Sequence, residues 1–297
     1  MSTPPYRHVA SLGSSFAAGP GIEPLADRGA CRSARNYPHL VAERLGARLT
    51  DLTVSGATTD TILTTPQRLF THVFPPQLQG LPADADLVTI TAGGNDLRYA
   101  GSMIRFGVAG RLSRRGLTRP LGARLSQGGV PGASAADVET VARNLARIVT
   151  AVRDKASAAR VLLVDYVTVL GPATVPGPQV PFDDATLGAL RQLGEKVTEL
   201  FAAAAAQSAA DLVLASERSR EHALGSPQPW VTGLVSLRAL GGAFHPNAEG
   251  MRGVADAVID YLANALSGGE QYSAGNSGQA PSGDGAWPRP LAPTRAA

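Results

Sequence analysis

An α/β fold with a parallel sheet covered on both faces is what the sequence predicts, and three observations carry it. Strand-like and helix-like segments alternate along the chain, the pattern of βα units wound around one sheet. The run Leu87-Val-Thr-Ile-Thr91 is apolar or β-branched almost throughout instead of alternating with polar residues, as suits a strand buried on both faces. Behind the capping box Ser134-Ala-Ala-Asp137, the residues Val138, Val141, Leu145, Ile148, Val149 and Val152 recur at helical spacing. At 297 residues, one large domain or two small ones can each bury a substantial core.

The first strand begins at His8 and its apolar Val9, Ala10 and Leu12 lead into Gly13-Ser14-Ser15. There Gly13 permits a sharp turn, and Ala17, Ala18 and Gly19 let a helix or loop start close by. Asn36 to Gly46 reads as a helix with Pro38 near its start, Leu40, Val41 and Leu45 on one face and Gly46 as its stop. Residues 47–54 make a second strand ending in Ser55-Gly56-Ala57, and the third, Asp86–Thr91, runs into Ala92-Gly-Gly-Asn-Asp96. Residues 98–133 are basic and Gly-rich. Seven Arg and no acid lie between Arg98 and Ala136. This segment is expected to be an insertion over the sheet edge or the active-site mouth, a solvated basic loop more simply than a device that recruits anionic substrates or a membrane surface. After the capped helix come a fourth strand at 160–167, a Pro-rich loop, a helix over 184–209 and a fifth strand at 211–215. A loop of about thirty residues then leads to a last helix from about Asn247 to Leu266. One domain is thus expected over 1–266, and the Gly, Ser, Pro and Gln of 267–297 read as a disordered tail.

Composition removes several function classes. Net charge is only +3, with 27 basic against 24 acidic residues, so nucleic acid is not an expected partner. No run approaches the ~18 apolar residues of a membrane span, so stable membrane insertion is not expected either. Met1 to Arg7 lacks the basic, apolar and cleavage segments of a secretory signal, and Cys31 is the sole cysteine. These fit a cytoplasmic, reducing location and would equally fit a mature exported chain, with Cys31 a small buried hydrophobe. There is no Walker motif and no dinucleotide fingerprint after the first strand, and the five His are not at metal-ligand spacing. No cofactor and no metal is therefore expected.

Ligands of an open parallel sheet sit beyond the carboxyl ends of its strands. Ser15 follows the first strand, Gly56 the second and Asn95 the third, while a loop before the last helix can bring His245 to the same rim. A serine within reach of an imidazole, an exposed glycine N–H and an asparagine amide would supply nucleophile, general base and oxyanion donors for acyl transfer. Each also has a plainer role alone: Ser15 as a helix cap, Asn95 as a turn residue, His245 as a structural or solvated side chain.

Taken together, Gly13-Ser14-Ser15-Phe16, Gly56, Gly93-Gly94-Asn95-Asp96 and His245-Pro246-Asn247 resemble the four blocks of the SGNH hydrolases, also called GDSL esterases and lipases. The resemblance covers roughly residues 6–266, and Cys31 to Gly46 is similar to actinobacterial members. It implies a three-layer α/β/α sandwich with a flavodoxin-like five-stranded parallel sheet. It also implies a serine esterase or lipase acting on small-molecule esters, with Ser15 as nucleophile and the Ser15 amide, Gly56 amide and Asn95 side chain as oxyanion hole. An acyltransferase would use the same acyl-enzyme, and a non-catalytic binding module would keep only the pocket. Oligomeric state is not readable.

Two positions depart from the family pattern. Ser14 stands where an Asp usually precedes the nucleophile, and Gly242 where the catalytic acid lies three residues before the histidine. No carboxylate occurs between Glu221 and Glu249. The expectation is a Ser15–His245 dyad whose imidazole is oriented by a main-chain carbonyl near Gly242, with Glu221 and Glu249 the nearest competing acids in sequence. A carbonyl dipole is weaker than a charge, so a histidine pKa near the ordinary ~6.5 is expected.

Overall fold

Five strands form one parallel sheet: β1 (His8–Gly13), β2 (Arg48–Asp51), β3 (Leu87–Thr91), β4 (Arg160–Val164) and β5 (Asp211–Val213), in the order β2-β1-β3-β4-β5. The structure, a computed structural model, describes residues 6–237 and 240–274. Val9 lies opposite Leu49 on one side and Leu87 on the other, Val88 opposite Val161, and Leu163 opposite Leu212. Every residue of β1 and β3 is buried, which is why neither shows polar alternation, whereas the edge strand β2 is partly exposed. The strand order reverses between β1 and β3, so the carboxyl ends of these two strands open the crevice where a ligand is expected.

Helices cover both faces. On one side a helix over Tyr37–Leu45 is capped by the Asn36 side chain, which accepts from the His39 amide, and is ended by Gly46 at φ 62°. The Tyr37 amide donates to Sδ of Met251, and Arg44 pairs with Asp256 at 2.6 Å, tying this helix to the last one. The other face carries two helices packed against each other, over Ala135–Lys155 and Asp184–Ser208. The first has the full Ser134/Asp137 capping box, and its stripe from Val138 to Val152 is buried. This is the three-layer α/β/α sandwich expected from the sequence.

Several boundaries moved. The second strand ends at Asp51, although the amides of Leu52 and Val54 still donate to Ser11 and Gly13 of β1. Two antiparallel ribbons, Leu25–Asp27 with Arg32–Ser33 and Gln67–Leu69 with His72–Phe74, lie in stretches without a strand signal. Cys31 is half-buried at φ 52° instead of being a core residue.

The expected basic loop of 98–133 is largely helical, with helices over Tyr99–Ser113 and Arg119–Ser126 packed together. Its glycines suggested a loop, yet two of them serve close packing: a Cβ on Gly110 would lie 1.6 Å from the Pro181 carbonyl oxygen, and one on Gly122 2.7 Å from that of Ala109. The last helix, Ala248–Ala274, runs past the expected end at Leu266 into the expected tail, whose remainder, 275–297, lies outside the described residues. Residues up to Tyr261 belong to one compact unit, and 262–274 continue the helix. Among the described residues no helix is long and apolar enough to cross a membrane.

Candidate active site

Ser15 is the first residue of a short helix, Ser15–Ala18, that leaves β1 at its carboxyl end, so its amide has no intrahelical acceptor and points out of the helix start. The turn needs a glycine: a Cβ on Gly13 would lie 2.6 Å from the Thr91 carbonyl oxygen. Gln77 holds Gly13 from both sides, accepting its N–H at 2.8 Å and donating to its carbonyl at 2.9 Å.

Hydrogen bonds stitch the loops after β1, β2 and β3 into one rim. The Ser14 amide donates to the Thr91 carbonyl at 2.9 Å, and the Val54 amide to Gly13 at 3.1 Å. The Asn95 side-chain amide donates to the Ala57 carbonyl at 2.9 Å. That bond uses one of the two Asn95 N–H groups, and among the described residues the other makes no hydrogen bond. Gly56 sits at φ 81°, and among the described residues its amide makes no hydrogen bond. Asp96 buttresses the arrangement by accepting from the Thr59 amide at 3.1 Å and its hydroxyl at 2.6 Å. Burial raises the carboxyl of Asp96 while those Thr59 bonds oppose the shift.

His245 enters from the far end of the chain. Its Nε2 lies 2.8 Å from the Ser15 hydroxyl and its Nδ1 lies 2.8 Å from the carbonyl of Ala243. A carbonyl can only accept, so the ring proton sits on Nδ1 and the lone pair on Nε2 faces the serine O–H. Both side chains are buried, Ser15 at 5% and His245 at 4% exposure. Phe244, between Ala243 and the histidine, is at φ 59°, a left-handed conformation that a bulky residue adopts only under constraint. Thr232 supplies that constraint, with its carbonyl accepting from the Phe244 amide at 2.7 Å and its amide donating to His245 at 3.0 Å. The reversal at Phe244 turns the Ala243 carbonyl back onto the imidazole two residues later.

A serine hydroxyl held against an imidazole at 2.8 Å is chemically able to serve acyl transfer. Residues 11–252 match the model of the GDSL-like lipase/acylhydrolase family. The chain belongs to that family. It is 32% identical to Lipase 2 of Streptomyces coelicolor over 88% of each protein, and 26% identical to a lipase of Streptomyces rimosus over 81% of each. In fold it is similar to the extracellular lipase of Streptomyces rimosus (TM-score 0.64, 22% identity, 86% of this chain and 99% of the other). The phospholipase A1 of Streptomyces albidoflavus is similar too (TM-score 0.66, 20% identity, 86% and 99%). Membership makes the chain a carboxylic ester hydrolase.

Two expectations about this GDSL-family site are corrected. The carbonyl on the imidazole belongs to Ala243, not Gly242; the Gly242 carbonyl accepts from the His245 backbone amide at 3.3 Å. Nor does the histidine keep an ordinary pKa: burial pushes it down to about 4, against the opposing effect of the Ala243 carbonyl. The carboxylates nearest in sequence stay out of the site. Glu221 and Glu249 are both exposed, and Glu249 is paired with Arg252. Replacing either with Gln should therefore change kcat on a nitrophenyl ester by no more than about twofold, as for ordinary surface positions. A loss matching that of a histidine variant would make that glutamate the missing acid.

The contacts of Ser14 with its neighbours in this GDSL-family site were not foreseen from the sequence. Ser14, in place of the usual Asp, hydrogen-bonds the Tyr166 hydroxyl at 2.7 Å, and the Tyr166 ring stacks on Phe16 with centroids 4.1 Å apart. Tyr166 could have been suspected, since it follows β4 at the same end of the sheet as Ser15. Beside it Asp165 accepts from the Ser216 amide at 2.8 Å and from its hydroxyl, and burial pushes its carboxyl up to about 7. A cavity of about 850 Å³ between 166–172 and the helix Asp184–Ser208 includes Tyr166 but neither Ser15 nor His245 in its lining. Among the described residues no group of three His, Cys, Asp or Glu could hold a metal ion.

Proposed function

We propose that the chain hydrolyses carboxylic esters through an acyl-enzyme on Ser15, with His245 as general base and acid and a backbone carbonyl in place of the triad acid. The observation that carries this reading is the continuous line from the Ser15 hydroxyl through Nε2 and Nδ1 of His245 to the Ala243 carbonyl, with 2.8 Å at each end. Ser15 Oγ attacks the ester carbonyl as its proton passes to Nε2. The oxyanion that forms is met by the amides of Ser15 and Gly56 and the free N–H of Asn95. When the tetrahedral intermediate collapses, the bond to the alcohol breaks and Nε2 returns the proton to the departing oxygen. Water, deprotonated by the same nitrogen, then attacks the acyl-serine, releasing the carboxylic acid and restoring the Ser15 hydroxyl. The curated relatives are named lipases and one fold neighbour a phospholipase A1, which supports fatty-acyl lipid esters as the substrate class.

A fluorophosphonate should form its adduct on the peptide carrying Ser15. An adduct elsewhere, or none on folded protein, would contradict the reading. Nitrophenyl esters of increasing acyl length should show kcat/KM rising with chain length; a fall beyond acetyl would exclude lipid esters.

The pH dependence follows from the burial of His245. Only the neutral imidazole can take the serine proton, so kcat/KM should climb as pH rises through about 4 and be level by pH 6. An acidic limb centred near pH 6.5 would mean that the ring is solvated in solution. The same group affects stability with a definite sign. The unfolded ring, near the ordinary ~6.5, takes a proton before the folded one, so its contribution is complete above that pH and is lost as pH falls toward about 4.

A further inference from the structure

Three segments meet at the end of the helix Tyr99–Ser113 farthest from Asn95, and arginines hold them together. Arg111 donates to the carbonyls of Pro178, Leu234 and Val235, and Arg114 to that of Gly177. The stretches that contribute, residues 98–136, 171–182 and 222–248, contain no Asp or Glu at all. Arg115, Arg119 and Arg124 are exposed at the tip, and among the described residues their side chains make no hydrogen bond or ion pair. Carbonyl partners do not neutralise Arg111 and Arg114, and the carboxylates that flank these stretches in sequence include the exposed Asp137, Asp183 and Asp184.

Apolar side chains stand among these charges. Leu117 is 97% exposed, and Leu121, four residues on, is 52% exposed. Val235 and Val175, in the loops that the arginines grip, are 56% and 65% exposed. Free leucines and valines in water lose the stabilisation they would gain by burial, and several of them exposed among arginines mark a docking surface. This face also adjoins the candidate site. Gly107 of the same helix packs against Phe244, and residues 231–235 run beside the strand-like stretch that carries His245, with Val231 bridged to Pro246.

We propose that this face docks on an anionic lipid surface, arginines at the headgroups and Leu117 and Leu121 in the acyl boundary. As a route by which substrate arrives, the docking rests on the ester-hydrolase reading; as binding it does not. Nucleic acid would satisfy the arginines but offers nothing to exposed Leu117, which is why lipid is the better partner.

The test uses the Ser15→Ala chain, which leaves the lipid intact, in co-sedimentation with phosphatidylcholine vesicles with and without phosphatidylglycerol. Binding should require the anionic lipid and weaken with salt. Changing Arg115, Arg119 and Arg124 together to Gln should weaken it on the order of 10²-fold, because each cation near such a surface contributes about fivefold. Leu117→Ser with Leu121→Ser should weaken it on the order of tenfold. Both combinations sit outside the catalytic residues, so on the Ser15 background they should keep turnover of a water-soluble short-chain ester. Equal binding to both vesicle types, or unchanged binding in the leucine variant with equal affinity for duplex DNA, would overturn the proposal. Vesicle binding by a chain that never turns over an ester would keep the docking surface and reject the hydrolase reading instead.

Discussion

Ser15→Ala and His245→Ala should each lower kcat on a nitrophenyl ester by about 10⁶-fold, and the double variant should be scarcely worse than either, because nucleophile and base act as one unit. Without Oγ there is no atom to carry the acyl group. Without Nε2, 2.8 Å from that atom, the hydroxyl keeps its proton and is a poor nucleophile. Residual activity would come from the remaining N–H donors acting on a water molecule. The measurement is single-turnover kinetics on protein whose thermal transition matches the parent, together with fluorophosphonate labelling, which both variants should lose. A loss under tenfold in His245→Ala would remove it as the base. Additive losses in the double variant would show that the two residues work independently.

Asn95→Ala should cost about 10²–10³ in kcat with KM changed far less, since an oxyanion donor acts on charge that exists only in the transition state. The side chain is well placed for this because its bond to the Ala57 carbonyl at 2.9 Å fixes the plane of the amide before substrate arrives. Asn95→Asp separates this role from a merely structural one. It keeps the shape but offers the oxyanion a negative group, so it should be at least as slow as the alanine variant. If both variants retain activity within threefold, Asn95 is a turn residue and the oxyanion hole consists of backbone amides alone. If KM rises and kcat does not fall, the amide binds ground-state substrate instead.

The sequence by itself determined the layered architecture and much of which residues its sheet brings to one rim. Runs such as Leu87–Thr91 lack polar alternation because both faces are covered, and the stripe from Val138 to Val152 repeats at helical spacing because one face is covered. Ser15, Gly56 and Asn95 were legible as rim residues for a similar reason, whereas His245 follows no strand and reaches the rim through a loop. Chain order through a parallel sheet delivers every strand's carboxyl end to one rim, so local motifs at those ends predict what meets there. Tertiary structure decided what no local pattern encodes. The carbonyl that orients His245 is set by the left-handed turn at Phe244, which exists because Thr232 grips both sides of it, and no residue type announces that contact. The histidine's low pKa comes from burial under distant segments, and desolvation is a property of the assembled site rather than of its neighbours in sequence. The helices within 98–133 pack closely because Gly110 and Gly122 let the backbone at Pro181 and Ala109 approach. In one dimension a glycine chosen for contact looks the same as a glycine chosen for a loop, and only the partner that comes against it tells them apart.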